Sequence, residues 1–216
     1  MNVGRARLPR VEISTLAGPA QVEVDRPPAA SFLIALTHGA AGGVASKDLL
    51  AVRDVCLELG GTVARVLQPY RVRGARAPGA PGPQDAAWLE IVARLRAENP
   101  GLPLIQGGRS NGARVACRTA REAAARAVVA LAFPLHPPGR PDQSRAAELR
   151  QAGTDVLVVN GERDPFGIPD SRDAARVIVL PGETHALSKD PAAVGAAVGG
   201  WLAALLGSTG GSLRAR

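Results

Sequence analysis

From residue 31 onward the chain repeats one alternation. Short, nearly unbroken apolar runs are separated by segments with helical spacing. The runs are SFLIALT (31–37), TVARVL (62–67), LPLIQ (102–106), AVVALAF (127–133), DVLVVN (155–160) and RVIVL (176–180). A strand that is apolar on both faces must be covered on both faces, and that is the signature of a parallel sheet flanked by helices. Between the runs, 47–59 places Leu49, Leu50, Val52, Val55, Cys56 and Leu59 on one helical face, with Gly60-Gly61 as a stop. Helices are likewise predicted over 84–98, 111–125, 144–151 and 194–206. Residues 11–24 read as two short strands around Gly18-Pro19, and 71–83 as a Pro/Gly/Arg loop with no period. The expectation is an α/β chain with a doubly wound, mainly parallel sheet. No repeat or linker divides it, so 1–206 form one domain and 207–216, rich in Gly, Ser and Arg, a flexible tail.

Composition narrows the function. Of 216 residues, 46% are hydrophobic, enough for a core of this size without staples. Aromatics are only 3%, which argues against base stacking on single-stranded nucleic acid. The net charge of +7 comes almost wholly from scattered arginines, which read as a solvated surface and not as a nucleic-acid stripe. The two cysteines, Cys56 and Cys117, lie in separate predicted helices with no metal spacing, as reduced core residues of a reducing compartment would. Neither a signal-type apolar segment near the N-terminus nor a membrane-length run is evident. A cytoplasmic protein is therefore expected, with no membrane or nucleic-acid partner and no metal. Homo-oligomerisation is left open.

In a doubly wound sheet, ligands bind beyond the C-terminal strand ends, and the unusual residues of this chain cluster there. Gly108-Arg109-Ser110-Asn111-Gly112 is a G-x-S-x-G between a predicted strand and a predicted helix, the context of a nucleophile elbow. Such a turn lifts the serine hydroxyl above the sheet and aims the free N–H groups of the helix at it. Two later strands end in an acid and a base, in the chain order that elbow requires: Asp164 in GERDPFG and His185 in GETHAL. Glu162 is the nearest rival acid. After SFLIALT comes His38-Gly39-Ala40-Ala41-Gly42-Gly43, a Gly-rich loop lacking both G-K-[ST] and G-x-G-x-x-G, which weakens a nucleotide reading and calls for no cofactor. It is suited to supply one oxyanion-hole N–H, assigned to Ala40, while the other belongs to Asn111. His38, Gly39, Arg109 and His136 are candidates to line the pocket. His38 is better suited to shaping the loop than to moving protons, and His136 to bonding a loop carbonyl. Arg71, Arg73 and Arg76 could attract an anionic substrate.

The segments HGAAGG, GGRSNGARVA, FPLHPPGRP and GERDPFG…GETHAL together resemble the small α/β-hydrolases related to dienelactone hydrolase. They are similar, more closely, to the testis-expressed hydrolase-like family, with FPLHPPG the most specific stretch. The resemblance runs from about Ser31 to Leu206. It implies the α/β-hydrolase fold and the Ser110–Asp164–His185 triad. Dienelactone hydrolase has a cysteine where this chain has Ser110, so that enzyme's substrate does not carry over. The segment 136–155 holds only a short helix, too little for a lid domain, which favours small or polar acyl substrates. Hydrolysis of a small acyl ester or thioester through an acyl-enzyme is the leading expectation. A binding or scaffold protein on the same fold is the alternative, since the resembled family includes a non-catalytic-looking relative.

Overall fold

The computed structural model describes residues 10–207. The elements run β1 (Arg10–Ile13), β2 (Ala20–Asp25), β3 (Phe32–Thr37), α1 (Lys47–Glu58), β4 (Gly61–Leu67), α2 (Pro69–Val72), α3 (Pro81–Ala97) and β5 (Leu104–Arg109). Then follow α4 (Asn111–Thr119), β6 (Ala127–Leu131), α5 (Ala146–Arg150), β7 (Asp155–Gly161), β8 (Arg176–Leu180) and α6 (Pro191–Gly207). The strands form one sheet in the order β1-β2-β4-β3-β5-β6-β7-β8. β1 and β2 are antiparallel additions at one edge, and β3 to β8 run parallel to one another.

The apolar runs are continuous because each parallel strand feeds two cores. Successive side chains point to opposite faces. In β3, Leu33 and Ala35 join Trp88, Ile91, Leu95 and Val115 under α3 and α4. The intervening Phe32, Ile34 and Leu36 join Leu49, Val52 and Val198 under α1 and α6. Fully burying one such aliphatic side chain contributes about 1.5–3 kcal/mol, so both layers are anchored by the same strands. On the outer side, α4 is tied to α3 and α5 by two forked ion pairs. Arg118 reaches Asp85 at 2.6 and 2.7 Å, and Arg114 reaches Glu148 at 2.6 and 2.9 Å.

Three expectations are corrected. The stretch 71–83 is not all loop, because α2 closes over Pro69–Val72 and α3 begins at Pro81. Pro81 fits a first helical turn, where no N–H is required, but that turn carries no apolar side chain for periodicity to register. Second, the helix after the elbow ends earlier than residue 125. Ala124 turns left-handed (φ 49°), with Ala125 N–H on Ala120 O and Ala124 N–H on Arg121 O. This is a Schellman-type stop, invisible in an alanine run that offers no glycine. Third, β6 stops at Leu131, because Ala132 is left-handed (φ 45°) and sends its N–H to Val159 O. The expected tail at 207–216 lies outside the described residues apart from Gly207, which ends α6. Among the described residues no helix is long and apolar enough to cross a membrane.

The largest fully buried side chain is Trp88, whose indole N–H donates to Gln106 Oε1, an atom that also accepts from Thr119 Oγ1 at 3.1 Å. Trp88→Ala should therefore lower unfolding free energy by about 3–5 kcal/mol, read from urea titrations. A loss under about 1 kcal/mol would mean that α3 does not depend on this contact.

Candidate active site

The elbow is built by close backbone approach. A Cβ on Gly108 would stand 2.6 Å from Thr37 O, and one on Gly112 would stand 2.7 Å from Thr37 O and 2.8 Å from His38 O. No side chain fits at either position, so β5 and α4 press against the end of β3. Between them Ser110 adopts φ 53°, ψ −115°, a conformation that a non-glycine residue holds only when its surroundings impose it. Its N–H is bound to Leu131 O at 2.8 Å. The hydroxyl is thereby fixed above the sheet.

Ser110, Asp164 and His185 meet there, although the last two are far from the serine in sequence. Ser110 Oγ lies 2.9 Å from His185 Nε2, and His185 Nδ1 lies 2.8 Å from Asp164 Oδ2. The carboxylate can only accept, so Nδ1 carries the proton and Nε2 is left to accept from the serine. The side chain of Asp164 is fully buried, whereas that of His185 is one-fifth exposed. Asp164 Oδ1 accepts the Phe166 N–H at 2.9 Å, and the Phe166 ring packs edge-on against the imidazole, with centroids 4.4 Å apart. The rival acid Glu162 is exposed and accepts the Gly182 N–H at 2.8 Å.

The loop after β3 is held by side chains, and His38 leads them. His38 Nδ1 donates to Gly39 O at 2.8 Å, and its Nε2 accepts the Gln68 N–H at 3.1 Å. Burial is the main cause that holds its pKa down at about 4, from an ordinary 6.5, and the Arg71 charge pushes the same way. The ring is thus neutral with the proton on Nδ1. Tyr70 donates to Ala40 O at 2.9 Å, and burial pushes its hydroxyl up to about 12. Among the described residues, the N–H groups of Ala40 and Asn111 have no hydrogen-bond partner within the chain.

Other candidates fall differently. His38 is fully buried, with both ring nitrogens bonded to backbone groups. Gly39 does approach the serine, since a side chain there would begin 3.3 Å from Ser110 Cβ. Arg109 donates to Asp48 and to the His185 carbonyl. His136 bonds Pro137 O through Nδ1 at 2.9 Å, and its N–H holds Phe166 O at 3.1 Å. Arg71 donates to Gly42 O and Ala75 O, and Arg73 to Ala17 O, so these donors hold backbone carbonyls of neighbouring segments. Burial pushes the Cys56 thiol up to about 12 and that of Cys117 higher still, which leaves neither as a nucleophile at neutral pH. No group of three or more metal-ligating side chains occurs among the described residues.

Sequence reasoning missed Asn160, Tyr70, Phe166 and Asp48. Asn160 Oδ1 accepts the Phe133 N–H at 2.8 Å, and its Nδ2 reaches Phe133 O, Gly167 O and Asp164 Oδ2 at 3.1, 3.2 and 3.4 Å. It joins the end of β6 to the acid loop. An amide ending an otherwise apolar buried strand was the available signal, because a buried polar group must find partners.

Several solved structures share this architecture. Est1E from Butyrivibrio proteoclasticus superposes with TM-score 0.75 at 16% identity, over 92% of this chain and 99% of that one. A dienelactone hydrolase from Anabaena variabilis gives 0.68 at 18%, over 90% and 95%. A Xanthomonas campestris protein described as an α/β serine hydrolase without lid gives 0.66 at 20%, over 91% and 96%. Likeness at such identities speaks for the fold. No curated protein matches the sequence significantly. Residues 30–186, well over half of the chain, match the α/β hydrolase domain family, and this protein belongs to that family.

Proposed function

We propose that the protein is a serine hydrolase that cleaves a small acyl ester or thioester through an acyl-enzyme. The observation that carries the reading is the continuous chain from Ser110 Oγ through both nitrogens of His185 to the buried Asp164 carboxylate, at 2.9 and 2.8 Å. Ser110 attacks the acyl carbonyl while His185 Nε2 takes its proton. Asp164 keeps the Nδ1 tautomer and stabilises the imidazolium. The proton then passes to the leaving alkoxide or thiolate, and water repeats the sequence on the acyl-enzyme.

The developing oxyanion is met by the N–H groups of Ala40 and Asn111. In support, Gly39 O is gripped by His38 Nδ1–H at 2.8 Å and by the Gly42 N–H at 3.0 Å. Across a planar trans peptide, C=O and N–H point oppositely. Fixing that carbonyl therefore fixes the direction of the Ala40 N–H. Such preset donors are among the largest contributions to acyl-transfer catalysis.

The segment between β6 and β7 carries only α5, so among the described residues nothing the size of a lid covers the serine. An open site suits short or polar acyl groups. The dienelactone hydrolase is a fold-level analogy for hydrolysis as the reaction class, and not for the substrate itself. The likeness of HGAAGG and FPLHPPGRP to the testis-expressed hydrolase-like family is part of the same reading. Two buried free thiols fit a reducing compartment, here taken as the cytoplasm.

A fluorophosphonate probe should label the wild type at one serine. Ser110→Ala should abolish labelling, and His185→Ala should slow it by roughly 10²–10⁴-fold. A folded wild type that resists the probe would hand the lead to a binding or scaffold role.

His38 supplies a pH prediction. Its folded pKa of about 4 lies below the ordinary 6.5, so between these values the unfolded chain binds more protons. Stability is complete above pH 6.5 and falls as pH drops toward 4, by up to about 3 kcal/mol from this group. Urea unfolding at pH 7.5 and 4.5 should show this fall shrinking in His38→Gln. An equal fall in both proteins would show that His38 is not its source.

A further inference from the structure

Arg109 precedes the serine directly, at the variable second position of G-x-S-x-G, as the last residue of β5. Its guanidinium forks between two elements that are remote in sequence. Nε donates to Asp48 Oδ2 at 2.8 Å, and Nη2 donates to the carbonyl oxygen of His185 at 2.7 Å. Asp48 lies in the first turn of α1 with its side chain fully buried, and its other oxygen accepts the Leu49 N–H at 2.9 Å. A carboxylate in that position requires its cation. Asp48 therefore pins the guanidinium plane, and the second arm of the fork arrives at a set place.

The chain on either side of His185 is held where Glu183 O accepts the Arg163 N–H at 2.8 Å and the Leu187 N–H donates to Thr184 O at 3.1 Å, whereas the carbonyl of His185 itself is held by Arg109. His185 stands in a loop between β8 and α6, with no ladder of its own. Its ring is held by Asp164 and packed by Phe166. Those contacts orient the imidazole, but they do not locate the main chain from which it projects. The Arg109 bond acts on the His185–Ala186 peptide. Because Arg109 and Ser110 are consecutive, it ties the backbone of the base to the backbone of the nucleophile.

We propose that Arg109, locked by Asp48, is a positioning residue that holds His185 within proton-transfer distance of Ser110. The role rests on the serine-hydrolase reading above. Arginine suits it because one planar group serves two acceptors at a fixed angle. Lysine offers a point charge on a flexible stem and does not reproduce the fork.

The test separates positioning from stability. Arg109→Met alone strands a buried carboxylate and should lower the thermal midpoint. Pairing it with Asp48→Leu removes that charge and should restore the midpoint, while the His185 carbonyl remains unheld. In this folded double variant, fluorophosphonate labelling should be slower by roughly 10–100-fold, and amide hydrogen exchange over 184–187 should accelerate. In a His185→Ala background the same pair of changes should leave the residual labelling rate where it was, because the clamp acts only through His185. Wild-type labelling by the double variant, or further slowing in the His185→Ala background, would overturn the positioning role. Unchanged exchange over 184–187 would overturn the clamp itself. An unlabelled wild type whose exchange still responds to the double change would instead remove the hydrolase reading, and with it the catalytic purpose of the clamp. The two failures are thus read separately.

Discussion

Everything around the serine depends on how closely three backbones meet at the end of β3. Thr37 O and His38 O occupy the space that side chains at Gly108 and Gly112 would need. That contact packs the start of α4 onto the sheet and drives Ser110 into a left-handed conformation. The cost of such a conformation, of order 1–3 kcal/mol, is met by the surrounding packing, where Leu36, Val129 and Leu131 are fully buried. Strain at the nucleophile and density in the core are two aspects of one arrangement.

Around this point the site is held by buried and half-buried polar side chains that bond the backbone of neighbouring loops. Asn160 joins the backbone at Phe133 to that at Gly167 in the acid loop, His38 and Tyr70 bind two successive carbonyls of the first loop, and Arg109 binds the carbonyl of the base. Hydrogen bonds of this kind give modest net stability, yet leaving one partner unpaired in the interior is costly. They specify geometry more than they add strength. The loops at the sheet's C-terminal edge can consequently lack secondary structure of their own and still present side chains at fixed distances.

The legible parts of the molecule were those set by local pattern. Two-faced apolar runs identified the parallel strands, and G-x-S-x-G between a strand and a helix identified the elbow. Where local signals are absent, the sequence is silent. The first turn of α3 shows no periodicity, and the stop at Ala124 uses alanine where glycine is usual. The arginines at 71 and 73 looked available for a ligand because their acceptors, Gly42 O and Ala17 O, are carbonyls from distant segments. An acidic residue in a first helical turn is ordinary, so nothing local marks Asp48, whose partner is 61 positions away.

By itself the sequence determined the alternation of elements, the faces they bury, and the order in which a serine, an acid and a base follow strand ends. These depend on residue type and short-range spacing, which hydrophobic burial and steric exclusion read directly. Only the tertiary structure decided which acid meets the histidine, which ring nitrogen of His38 keeps its proton, and where Arg109 points. Those outcomes depend on distances of about 3 Å between groups brought together by the sheet. No local pattern carries that information, because each partner is chosen by what the fold sets beside it.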